Sequence, residues 1–72
     1  MKFSPGDLVI TTEPLYGFNE VVGEWEKVRR GTRLIFLEFH LPSDKFRVIL
    51  PTGTVIWLDG YEEGYLELLE GV

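Results

Sequence analysis

The sequence predicts an all-β fold: a small barrel of five short strands, with a long early loop and one short helical turn before the last strand. Three observations carry this. The apolar residues fall in short runs rich in β-branched and aromatic side chains, Gly and Pro punctuate the intervals, and no stretch sustains the 3.6-residue period of an amphipathic helix. At 72 residues the chain is about half a usual domain, so residues 1–72 form one domain around one small core. A closed barrel is the economical shape at this length, because open sheet edges invite association.

Pro5-Gly6-Asp7 is a turn, and Leu8-Val9-Ile10-Thr11-Thr12 after it reads as the first strand, ending before Pro14. Leu15 to Arg29 holds Gly17, Asn19 and Gly23 among scattered aromatics and keeps no period, which predicts a long, folded-back loop. Arg30-Gly31 turns the chain into Thr32 to Leu41, the longest and most apolar strand, which Pro42-Ser43-Asp44 ends. Lys45 to Leu50 follows, and Pro51-Thr52-Gly53 is a tight hairpin signal before Thr54 to Leu58. Asp59 to Gly64 forms one helical turn, and Tyr65 to Leu69 is the last strand. A helix over Tyr61 to Leu69 competes with this, but Gly64 in its middle costs about 1 kcal/mol relative to Ala. The expected core is Val9, Leu34, Phe36, Val48, Leu58, Leu66 and Leu68.

Composition bounds the function. The chain is 44% hydrophobic and 14% aromatic, well away from the composition of disorder, and no cysteine staples it. Twelve acidic residues against seven basic ones give a net charge of −5, which disfavours duplex DNA and anionic membranes and suits a protein or peptide with a basic patch. No apolar run approaches a membrane span, and the start of the chain lacks a signal-peptide pattern, so a cytoplasmic location is expected. Catalysis is not expected. The single histidine, His40, has no cysteine to partner and no second histidine to share a metal, so neither a metal nor a cofactor is expected. The adjacent Glu62 and Glu63 should diverge and solubilise the turn.

Four segments in order resemble a Src-homology-3-like barrel of the bacterial kind. Leu15-Tyr16-Gly17-Phe18 resembles the Ala-Leu-Tyr-Asp-Tyr opening of such domains. Val28-Arg29-Arg30-Gly31-Thr32-Arg33-Leu34-Ile35-Phe36 resembles their hydrophobic-Lys-Lys-Gly-Asp-x-Leu-x-Val segment. Phe46 to Gly53 followed by Trp57 resembles their Tyr-Lys-Val-Arg-Leu-Pro-Asp-Gly and Gly-Trp-Val pieces, and Tyr65-Leu66-Glu67-Leu68-Leu69 resembles their closing Tyr-Val-Glu-Leu-Leu. The resemblance covers residues 15–69 and implies the barrel. Where proline-peptide-binding members carry a tryptophan and a proline, this chain has Lys45 and Asp59, and Tyr61 to Gly64 stands as an insertion, so ordinary proline-rich ligands are expected to bind poorly.

Tyr16, Phe18, Trp25, Trp57, Tyr61 and Tyr65 lie in loops, strand ends or turns, more aromatic surface than a small barrel can bury. With Glu20 and Glu24 beside them, they could form an apolar platform with an acidic rim for a basic peptide; covering the core is the competing role. The expected function is therefore a non-enzymatic protein-interaction module, an adaptor or a small inhibitor, including a phage or accessory protein that occupies a host protein's basic site. Two rivals stand beside it: RNA binding through Lys27, Arg29, Arg30 and Arg33, the only basic cluster, and a structural or assembly subunit. Alternation also places Ile35, Leu37 and Phe39 on one face of the long strand as an apolar row, a candidate surface for self-association.

Overall fold

The computed structural model describes residues 2–72. Its chain runs β1 (Leu8–Thr11), β2 (Leu15–Asn19), β3 (Glu24–Val28), β4 (Arg33–His40), a 3-10 turn over Leu41–Ser43, β5 (Lys45–Ile49), β6 (Val55–Asp59), a 3-10 turn over Gly60–Tyr65, and β7 (Leu66–Glu70). All seven strands form one antiparallel sheet in the order β3-β2-β6-β5-β4-β1-β7. The molecule is all-β, and no helix among the described residues is long and apolar enough to cross a membrane.

The count is seven strands, not five, because Leu15 to Arg29 is a paired hairpin instead of an irregular loop. Leu15 faces Val28 and Asn19 faces Glu24 across it. The turn closes where the Gly23 N–H donates to the Asn19 carbonyl at 2.8 Å and the Val21 N–H donates to Asn19 Oδ1 at 3.1 Å, with Gly23 at a φ of 70°. The other turns follow their residues. Gly53 donates to the Leu50 carbonyl at 2.8 Å between β5 and β6. Buried Asp7 accepts from Ser4 N–H at 2.8 Å and from Val72 N–H at 3.1 Å, tying the two ends of the described chain together.

Phe3, Val9, Leu15, Val28, Leu34, Phe36, Phe46, Val48, Ile56, Leu58 and Leu66 form the core. Phe36 is its centre, with ring centroids 6.0 Å from Phe3 and 5.9 Å from Phe46. Of the expected core, Leu68 is the exception, with 53% of its surface exposed. It lies on the outermost strand, where Leu66 alone reaches the interior, and a register shift where β7 meets Leu8 and Val9 breaks the alternation beyond it.

A second register shift reshapes the long strand. Phe36 pairs with Val48 but Glu38 pairs with Arg47, so Leu37 is an extra residue and the phase of the strand changes after it. Phe39 then stands opposite buried Phe46 and packs against the core, while Ile35 and Leu37 are half-buried. The apolar row of Ile35, Leu37 and Phe39 expected on one face is therefore not presented by this strand.

Phe36→Ala removes the ring at the centre of the core. It should lower the unfolding free energy by about 3–5 kcal/mol, a large share of what a small domain has. Urea denaturation measures it, and a loss under about 1 kcal/mol would show that the core collapses around the deletion without cost.

Candidate functional site

Register places five side chains in a line across one face of the sheet. Glu38 on β4 pairs with Arg47 on β5, Arg47 with Trp57 on β6, Trp57 with Phe18 on β2, and Phe18 with Trp25 on β3. A shorter line beside it runs His40, Lys45, Asp59. The β2–β3 hairpin on one side and the Leu41–Ser43 turn on the other enclose this face as an open groove of about 690 Å³. Its walls are Phe18, Trp25 and Trp57 on the aromatic side and Glu38, Lys45 and Arg47 on the charged side, with Glu20, His40 and Ser43 completing it.

Most of the charge in the groove is already partnered. Arg47 Nη2 meets Glu38 Oε1 at 2.9 Å, and its guanidinium lies 5.3 Å from the Trp57 ring centroid. Arg47 Nε is buried with no hydrogen-bond partner among the described residues, so the Glu38 carboxylate and the indole face hold this side chain in place. Lys45 Nζ meets Asp59 Oδ1 at 2.6 Å, and that hydrogen bond and charge hold the ammonium above its usual value of 10.5. His40 sets its ring edge on Trp57, with centroids 6.2 Å apart, and its Nδ1 is 2.8 Å from Ser43 Oγ in an exposed turn. Glu20 has no ion-pair partner among the described residues. It is the one free charge in the groove, beside Trp25, which is 64% exposed and packs edge-on against Phe18 at 5.3 Å.

Of the residues expected to contact a partner, Phe18, Glu20, Trp25 and Trp57 come together in the groove. Tyr16 shares a strand face with Phe18 and is 58% exposed, but does not line the groove. Glu24 stands exposed opposite Asn19, also outside the lining. Tyr61 and Tyr65 form their own edge-to-face pair, 6.3 Å apart, on the Gly60–Tyr65 turn. The sequence reading missed the charged wall, although Lys45 and Arg47 alternate with buried Phe46 and Val48, a signal that puts both on the outer face. It also missed Val21 and Val22, which stand exposed at the tip of the β2–β3 hairpin.

Glu62 departs furthest from expectation. It is buried instead of solubilising, and its Oε1 accepts the Asp59 N–H at 3.0 Å at the start of the 3-10 turn. The signal was the Asp59-x-x-Glu62 spacing of a capping box. Burial pushes the Glu62 carboxyl up from 4.5, against the pull of that hydrogen bond, and the Glu62 charge in turn raises the phenol of Tyr61. Among the described residues, no group of three or more His, Cys, Asp or Glu could hold a metal ion. Comparison with protein-family models, with curated proteins and with solved structures finds no match.

The raised Glu62 carboxyl gives a pH dependence of known sign. The folded state binds this proton more tightly than the unfolded chain, so the stability the group contributes is present below 4.5 and is lost as pH rises through the folded value. Glu62→Gln keeps an oxygen for the Asp59 N–H and removes the charge. The variant should be more stable than wild type at neutral pH, and the gap should close in acid. Denaturation across a pH series checks this; a gap independent of pH would assign the effect to packing.

Proposed function

We propose that this chain is a non-enzymatic protein-interaction module, an adaptor or small inhibitor, built on a Src-homology-3-like barrel and binding a partner segment in the groove between the β2–β3 hairpin and the Leu41–Ser43 turn. The strand succession supports the barrel: a first strand, a long hairpin, the β4-β5-β6 meander, a short 3-10 turn, and a last strand returning to pair with the first. The absence of cysteine suits a reducing, cytoplasmic setting.

The observation that carries the binding role is Trp25. A tryptophan with 64% of its surface exposed, standing over Phe18 and beside Trp57 in a groove, contributes little to the fold and much to any contact made there. Val21 and Val22 extend the apolar surface along the hairpin tip. Charge supports the choice of partner. Arg47 and Lys45 are neutralised within the groove, which leaves Glu20 to select a basic residue flanked by apolar ones. Where proline-binding relatives would present tryptophan and proline, the Lys45–Asp59 pair presents two hydrated charges, so proline-rich segments are poor ligands.

Trp25→Ala should leave the unfolding free energy within about 0.5 kcal/mol of wild type, as for an exposed side chain. Binding of short peptides carrying a basic residue among apolar ones, followed by amide and indole shifts, should move Trp25, Trp57, Phe18 and Glu20 in the wild type and lose those shifts in the variant. Single-stranded RNA shifting Lys27 to Arg33 with the groove silent would transfer the function to the basic cluster.

A further inference from the structure

We infer that the basic segment seated in this groove is the Arg29-Arg30 turn of a second copy of the same chain, docked head to tail. This rests on the groove being a site for a basic partner, and it adds which partner. Three observations lead to it.

The first is the distribution of free charge. Of the seven Lys and Arg residues, Lys45 and Arg47 are in ion pairs and Lys2 lies over the Phe3 ring. The other four, Lys27, Arg29, Arg30 and Arg33, fall within one short stretch around the β3–β4 connection, and none forms an ion pair among the described residues. The free carboxylates Glu20 and Glu24 lie at the opposite end of β3. Apart from Glu26, which lies between them and accepts from Asn19 Nδ2 at 2.7 Å, positive and negative charge are thus separated along one hairpin, and this arrangement is satisfied when the basic end of one molecule meets the acidic end of the next.

The second is that the basic turn is held rigid. The Arg29 carbonyl accepts from Thr11 Oγ1 at 2.8 Å and from Thr32 Oγ1 at 2.5 Å, and Thr11 is 2% exposed. Thr11 Oγ1 in turn accepts from the Thr32 N–H at 3.0 Å, and Gly31 N–H donates to the Thr11 carbonyl at 2.8 Å. A buried threonine therefore anchors a turn whose Arg29, Arg30 and Gly31 are all exposed. Presenting two guanidinium groups from a fixed backbone lowers the ordering cost of binding.

The third is that the groove already holds a guanidinium in the required manner. Arg47 lies over Trp57 with Glu38 at its edge. Trp25 and Glu20 offer the same pair of groups, an indole face and a carboxylate, with no guanidinium between them. An arginine reaching in from another molecule repeats the contact one strand pair further along the sheet. The two surfaces differ, so each copy retains a free groove and a free turn, and the assembly grows as a ring or chain instead of stopping at a dimer.

Sedimentation velocity on the full chain tests this with two charge reversals, Glu20→Arg and the double change Arg29→Glu with Arg30→Glu, all on exposed side chains whose folding circular dichroism checks. Wild type should associate with rising concentration, and high salt should weaken that association about tenfold as the exposed charges are screened. Each reversed variant alone should be monomeric. Their equimolar mixture should associate again, because the intact groove of one meets the intact turn of the other and the two reversed charges also attract. A monomeric wild type with a monomeric mixture overturns the inference, as does association that survives both reversals. The groove is judged separately by the indole shifts of Trp25 and Trp57 with a short arginine-containing peptide. Shifts there with a monomeric wild type mean a basic partner other than self, and silence there means the groove reading fails as well.

Discussion

The β2–β3 hairpin lies across β6 because Gly17 has no side chain. Its backbone passes directly over Ile56, and a Cβ at position 17 would overlap the Ile56 side chain, itself fully buried. Phe18 with Trp57 is the one ladder pair between β2 and β6, and the close approach at Gly17 lets the rest of the hairpin pack down on β6. With the hairpin down, Leu15 and Val28 close the core beneath and Phe18 and Trp25 reach the outer face above. The fold and the groove therefore share one steric requirement.

The ion pairs in the groove are half-exposed, and pairs of this kind contribute about 0–1 kcal/mol each. Their weight lies in the field they leave behind. Glu38 cancels Arg47 and Asp59 cancels Lys45, so a wall that reads as basic in sequence is close to neutral in space. Strand register produces this cancellation, since both pairs are direct cross-strand neighbours. What remains is an apolar surface with one free carboxylate, Glu20, at its edge.

Turn chemistry made much of the fold legible. Pro5-Gly6-Asp7, Arg30-Gly31 and Pro51-Thr52-Gly53 all fall at real chain reversals, and the strand boundaries they imply lie within a residue or two of the observed ones. The hairpin over residues 15–28 escaped notice because its inward positions are Leu15, Gly17 and Asn19, a glycine and an amide where alternation predicts hydrophobes. Gly17 there is required by packing, yet from sequence alone it signals a loop. The extra residue at Leu37 was equally hidden, since every residue from Leu34 to Leu37 is apolar and any phase fits. Four of the eight expected partner residues lie in the groove. The others do not, because the tyrosines of the 3-10 turn pair with each other and Tyr16 and Glu24 sit outside the lining.

Glu62 links the second 3-10 turn to the groove. Burying a carboxylate is unfavourable, and a neutral residue would fill the same space at lower cost. Its position explains what that cost secures. The carboxylate holds the backbone of Asp59, whose side chain pairs with Lys45, and the next residue, Gly60, donates its N–H to the Asp44 carbonyl at 2.8 Å with no room for a side chain against Asp44. The end of β6 is thus clamped to the start of β5 from both sides. Asp44 itself sits at a φ of 53°, the left-handed conformation that ends the Leu41–Ser43 turn, so this clamp also sets where Ser43 and His40 meet the groove. A buried acid that weakens the fold at neutral pH therefore fixes the far wall of the surface on which binding is proposed.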